Sequence, residues 1–311
     1  MTDLIIVGAG TAGMTAAIYA CRAGMTVTLF EKAIYGGQII NTPSIENYPG
    51  LPGVAGADFA QSLYSQATAL GATVRFSEIT GVELAGNIKT VHTANESAHA
   101  KAVILAGGSA PRALDCPGGE MFVGRGLSYC ATCDGAFHRG KDVAVIGGGN
   151  VAINDALVLS DLCRKVYLVH RSAAFRAEER SLELLRQKDN VEFLPNSVTA
   201  EISGDTALEK IAVKSLLTGD VLTLAVSGVF VAIGSIPNTG AYAGQIDLDE
   251  RGYIRAGENC QTNLPGVFTA GDIRAKTVRQ LVTAAADGAT AALAAKDYTM
   301  EWLDSGAASA K

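Results

Sequence analysis

The residues best suited to chemistry are two cysteines separated by two positions, Cys130-Ala-Thr-Cys133, followed directly by Asp134. That spacing lets both sulfurs share one helical turn, near enough to form and break a disulfide without chain movement. A helix N-terminus beside them lowers thiol pKa and makes thiolate available near neutral pH. The same spacing also serves as half of a zinc site or as a plain structural pair. Zinc needs four ligands, and no second Cys-x-x-Cys or Cys-x-x-His occurs in the chain, so no metal is expected. Cys21, Cys116, Cys163 and Cys260 stand alone and read as small buried hydrophobes.

Two glycine turns carry a second chemistry. Gly8-x-Gly10-x-x-Gly13 and Gly147-x-Gly149-x-x-Ala152 each follow an apolar run and open an Ala-rich helical stretch. They belong to a repeat that begins at Asp3 and again at Asp142, 139 residues later. Strand, glycine turn, helix and second strand make the β-α-β unit that binds dinucleotides. The first glycine permits the turn, the second lets backbone approach a pyrophosphate, and the third position packs helix on strand.

The two copies differ where the ribose is read. Twenty-three residues after the first glycine stands Glu31 in one copy and His170 in the other, the latter followed by Arg171 and Arg176. A carboxylate accepts both hydroxyls of an unphosphorylated ribose, whereas histidine and arginines suit a 2′-phosphate. Site one therefore reads as FAD or NAD and site two as NADP; the alternative for the arginines is a solvated surface pair.

These groups need elements to position them. Residues 36–50, GGQIINTPSIENYPG, read as a functional loop or an omega loop, with Gln38, Thr42 and Asn47 as hydrogen-bonding groups. Alternating segments over 73–105 and from 210 predict β-meanders, each ending in a buried strand that closes its nucleotide unit. GVFTAGDIR (266–274) predicts a further buried strand whose Gly271-Asp272 lies at the mouth of the sheet, ahead of a helix from about 279 to 296. The expected fold is α/β, with two Rossmann-like domains of parallel sheet plus β-meander, the second inserted into the first. Residues 1–114 and 244–311 form the first, discontinuous domain and 115–243 the second.

Composition agrees with a folded two-domain chain: 311 residues, 48% hydrophobic, 18% charged, and 35 glycines against the ~7% of ordinary domains. A net charge of −6 argues against a nucleic-acid face. No apolar run reaches the ~18 residues of a membrane span, and Met1 leads straight into a strand, so a cytoplasmic location is expected.

Taken together, GAGTAG, GGQ…T…IENYPG, SYCATCDGAF, GGGNVA, HRSAAFR, AIGSIPNT and TAGDIR…RQLVTAAADG resemble the low-molecular-weight bacterial thioredoxin reductases over nearly the whole chain. That resemblance implies FAD in the first domain, held by Gly8, Gly10, Ala12, Gly13, Glu31, Gly37, Gln38, Thr42, Asn47, Gly271, Asp272, Arg279 and Gln280. It implies NADPH in the second, on Gly147, Gly149, Asn150, Val151, Ala152, His170, Arg171 and Arg176. It also implies a redox-active disulfide, with Cys133 facing the flavin, Cys130 attacking thioredoxin and Asp134 passing a proton. Two-fold homodimers and rotation of the second domain between two arrangements complete what the family implies. The chain departs from the family in three places: Ser172 stands for a second arginine, Asn154-Asp155 for a glutamate pair, and Ala106-Gly107-Gly108 for an Ala-Thr-Gly. The departures in the second site keep a ferredoxin-driven thioredoxin reductase as an alternative; a flavin redox sensor without turnover is a further reading, against which the intact Cys130, Cys133 and Asp134 argue.

Overall fold

Leu4-Ile5-Ile6 is apolar at every position, which suits a strand buried on both faces. In the computed structural model, which describes residues 1–42 and 44–304, β1 (Thr2–Val7) lies inside a mostly parallel sheet, with these three side chains fully buried. Each such burial contributes about 1.5–3 kcal/mol. Helix α1 (Thr11–Arg22) follows the first glycine turn, then β2 (Val27–Glu31), α2 (Gly56–Ala69) and β3 (Thr73–Phe76). Next come β4 (Ile79–Glu83), β5 (Lys89–Thr93) and β6 (Ser97–Leu105), giving the order β3-β2-β1-β6-β5-β4.

Here the structure corrects the meander reading. Residues 73–76 are not part of the meander but pair parallel with β2, and only β4, β5 and β6 run antiparallel. Strand β6 serves both systems. Its first half pairs with β5, while Ala102–Leu105 is wholly buried and pairs parallel with β1.

The chain leaves this unit through β7 (Ser109–Pro111). The second unit contains β8 (Leu127–Ser128), the short helix α3 (Ala131–Asp134), β9 (Asp142–Ile146), α4 (Asn150–Leu162) and β10 (Lys165–Val169). Then follow α5 (Glu179–Arg186), β11 (Val191–Leu194), a three-stranded antiparallel sheet of β12 (Ser197–Gly204), β13 (Leu208–Ser215) and β14 (Val221–Ala225), and β15 (Gly228–Val231). The parallel sheet runs β11-β10-β9-β15-β8. The chain returns through β16 (Ser235–Pro237) to β17 (Val267–Thr269), parallel to β6, and continues into α6 (Leu281–Asp304), longer than the helix expected from sequence.

The compact units divide between Ala110 and Pro111 and between Ser235 and Ile236, four and eight residues before the expected crossings. The reason is the pairing of β7 with β16. Arg112 already bonds within the second unit, its N–H to Gly234 O at 2.9 Å, and Asn238 within the first, its N–H to Gly108 O at 3.1 Å.

Candidate functional site

In the first unit Gly8 has φ +106°, and a Cβ at Gly13 would overlap the Gly8 carbonyl oxygen, so both positions need glycine. Gly10 precedes α1, which has no side-chain cap, and a Cβ there would have only Gly36 O within 4.0 Å. Uncapped amides facing open space suit an anion. The Gly36 N–H donates to Ala9 O at 2.7 Å, docking the 36–50 loop on this turn, and the loop itself contains a 3-10 helix, Gly37–Asn41. Glu31 is anchored beside the turn: Oε2 accepts the Ala9 N–H at 2.9 Å and Oε1 the Ala33 N–H at 3.2 Å.

Gly271, at φ +78°, abuts buried Ala12 of α1 closely enough that a Cβ would crowd it. Asp272 follows, with Oδ1 buried, accepting no hydrogen bond and 4.0 Å from Lys276 Nζ; burial pushes its carboxyl up, Lys276 and Arg279 pulling the other way. Arg279 donates to Asp272 O at 3.3 Å and lies 4.0 Å from the Tyr253 ring centre. Asn47 Nδ2 donates to Gln280 Oε1 at 3.1 Å, joining residues 233 apart in sequence. Gln38 donates to Ser109 O, and Thr42 O accepts the Gly56 N–H at 2.9 Å.

Sequence reasoning missed the support beneath this turn. Asp287, on α6, accepts the Gly271 N–H at 3.0 Å, Arg274 at 2.6 Å and Lys276 at 2.8 Å, with all three side chains largely buried. An acid in the apolar run Ala284-Ala-Ala-Asp287 was the available signal.

In the second unit Gly147 has φ +150°, and Gly149 precedes α4, again without a side-chain cap. Ala152 is fully buried at the helix–strand contact, where it replaces the third glycine. Val151 is exposed. His170 differs from Arg171 and Arg176 in exposure: it is buried, its ring over Gly148 and 5.1 Å from Phe175, while both arginines are exposed. Burial lowers the His170 pKa, and its Nε2 has no partner. The uncapped α4 amides, this free nitrogen and the two guanidiniums fit a phosphorylated dinucleotide.

The same unit holds a Cys130–Cys133 disulfide, with Cys130 at the N-terminus of α3. Ser128, absent from the sequence-derived site, organises it. Its Oγ accepts the Cys130 N–H at 3.0 Å and donates to Asp134 Oδ2 at 2.5 Å. Asp134 Oδ1 stays buried and unpartnered, open to a proton or a donor. His138 is engaged elsewhere, with Ser227 at 3.0 Å, and burial lowers its pKa. Burial raises the other thiols, Cys163 and Cys260 to about 11, so they stay protonated at neutral pH. Among the described residues no His/Cys/Asp/Glu group is arranged for a metal, and no helix is long and apolar enough to cross a membrane.

The pyridine nucleotide-disulphide oxidoreductase family matches residues 2–289. The thioredoxin reductase of Mycolicibacterium smegmatis is 41% identical over 301 residues, covering 96% of this chain and 97% of that protein. The bifunctional thioredoxin reductase/thioredoxin of Mycobacterium leprae (strain TN) is 41% identical over 302 residues, and the match spans 66% of its length. Among solved structures, thioredoxin reductase from Streptococcus pyogenes MGAS5005 matches with TM-score 0.92 and 37% identity, over 97% of this chain and 99% of that one. With a disulfide, its acid and a dinucleotide turn in one unit and a second such turn in the other, the chain belongs to the pyridine nucleotide-disulphide oxidoreductases, in the thioredoxin reductase family.

Proposed function

We propose that this chain is a flavoprotein that passes electrons from NADPH through FAD and the Cys130–Cys133 pair to the disulfide of thioredoxin. The carrying observation is that disulfide, seated on Ser128 and Asp134 in the unit that also holds the Gly147 turn. NADPH and a proton go in with a protein disulfide; NADP+ and a protein dithiol come out.

FAD falls to the first unit: its pyrophosphate to the α1 amides behind Gly8, Gly10, Ala12 and Gly13, its adenosine ribose to Glu31. Gly37, Gln38, Thr42, Asn47, Gly271, Asp272, Arg279 and Gln280 line the rest. NADPH falls to the backbone of Gly147, Gly149, Asn150, Val151 and Ala152, with the side chains of His170, Arg171 and Arg176 at the 2′-phosphate end. Bound FAD supplies a two-electron carrier between nicotinamide and disulfide. Cys133 is the sulfur that meets it, Cys130 the one that attacks thioredoxin, and Asp134 holds the proton a leaving thiolate needs. Dithiol and nicotinamide both belong to the inserted unit and cannot stack on one flavin together, so turnover requires rotation of that unit. A cytoplasmic homodimer completes the proposal.

Ser172 keeps a ferredoxin donor as the second reading, while exposed Arg171 and Arg176 favour NADPH. Anaerobic titration of the flavoprotein with NADPH, NADH and reduced ferredoxin tests this. NADPH should bleach the flavin fastest; bleaching by ferredoxin alone overturns the donor assignment.

A further inference from the structure

Asn150 opens α4 directly behind the glycine turn, where a helix presents amides to phosphate. Its side chain is committed elsewhere. Oδ1 accepts the N–H of Glu178 at 2.8 Å, across 28 residues of sequence. Glu178 is the residue that precedes α5. The intervening segment 171–178 is tied down at other points too: the Arg176 N–H donates to Gly148 O at 2.6 Å, and Phe175 rests on the His170 ring. Residues 171–178 thus form a strap across the turn, carrying Arg171 and Arg176. Both guanidiniums are exposed, and neither pairs with a carboxylate among the described residues.

We propose that Asn150 is a positioning residue for cofactor selectivity: by clipping the far end of the strap it fixes the two guanidiniums that read a 2′-phosphate. Bidentate arginine–phosphate pairing depends on placement, so a loosened strap forfeits it while leaving the amides that meet the pyrophosphate intact. Ser172 brings no third charge, which leaves recognition to the two arginines the clip controls. The inference rests on the assignment of NADPH to this turn.

Calorimetric titration of the FAD-loaded protein with NADP+ and NAD+ tests it without turnover. In Asn150→Ala, NADP+ affinity should fall about tenfold, the equivalent of one net hydrogen bond, and NAD+ affinity less than about twofold. In an Arg171→Ala/Arg176→Ala background, adding Asn150→Ala should change NADP+ binding by less than about twofold, because the groups it positions are gone. Asn150→Asp retains an acceptor for the Glu178 N–H and should restore the NADP+ to NAD+ ratio even though its charge weakens both. Equal weakening of both nucleotides in Asn150→Ala would place Asn150 on the shared pyrophosphate and overturn the proposal, as would unchanged NADP+ binding. A parent protein that binds both nucleotides equally would instead overturn the NADPH assignment, and the inference with it.

Discussion

Replacing Asp155 by Asn should stabilise the protein at alkaline pH and leave it unchanged in acid. Asp155 stands one turn before Leu159 on α4, on the stripe whose Leu159 and Leu162 pack against Gly135, just past the redox pair. Burial pushes its carboxyl from the ordinary 3.8 to about 7, and no ion pair among the described residues offsets this. Between those two values the folded protein keeps a proton that the unfolded chain releases, so stability falls as pH rises through the interval. The penalty is absent below the unfolded pKa and complete above the folded one. At about 1.4 kcal/mol per pH unit the interval is worth roughly 4 kcal/mol, and partial solvent access trims this to about 2–4 kcal/mol. Asparagine keeps the shape and removes the charge. Urea unfolding of parent and variant, followed by a signal from the inserted unit, should show the variant ahead by about 2–4 kcal/mol at pH 8 and by under about 0.5 kcal/mol at pH 4. A gain independent of pH, or a loss at pH 8, would refute the reasoning.

Cys133→Ser should retain bound flavin that NADPH still reduces, with thioredoxin reduction at background; anaerobic spectra and an insulin-coupled assay separate the two half-reactions, and near-normal turnover would contradict the proposed route. Asp287→Ala removes three acceptor contacts and takes the hydrogen-bonded carboxylate from largely buried Arg274 and Lys276, leaving Lys276, among the described residues, only Thr283 and the more distant Asp272. It should cost about 3–5 kcal/mol in denaturant unfolding and weaken FAD retention on dialysis; a cost under about 1 kcal/mol would deny the network its role. Ser172→Arg should tighten NADP+ more than NAD+ in equilibrium titrations, by roughly tenfold for one added charged contact. Equal tightening would point to general charge attraction instead.

The parts of the site written in local backbone geometry were legible from the chain alone. Gly8 and Gly147 hold positive φ, and Gly13 has no room for a Cβ, so the turn demands those residues wherever it occurs. The offset of the repeat then set Glu31 and His170 in equivalent slots, and Cys130 and Cys133 lie within one helical turn of each other. What the sequence could not show are contacts made between distant elements. Whether TVRF at 73–76 joins a meander or a parallel edge depends on β2, whose paired residues lie 45 positions earlier, because alternation reports one-sided burial and not the partner. His170 has the chemistry of an exposed donor, yet Gly148 leaves a space that its ring fills, so its burial was decided by packing. Asp287 under Gly271, Asn150 under Glu178, and Asn47 against Gln280 leave no periodic trace, since a polar side chain's partner is set by where the folded chain carries it. The sequence by itself determined the two turns, the redox pair and the order of the elements, all governed by short-range sterics and hydrophobic period. Only the tertiary structure decided which buried polar groups support them, because a buried donor or acceptor must find its partner across whatever distance the fold has closed.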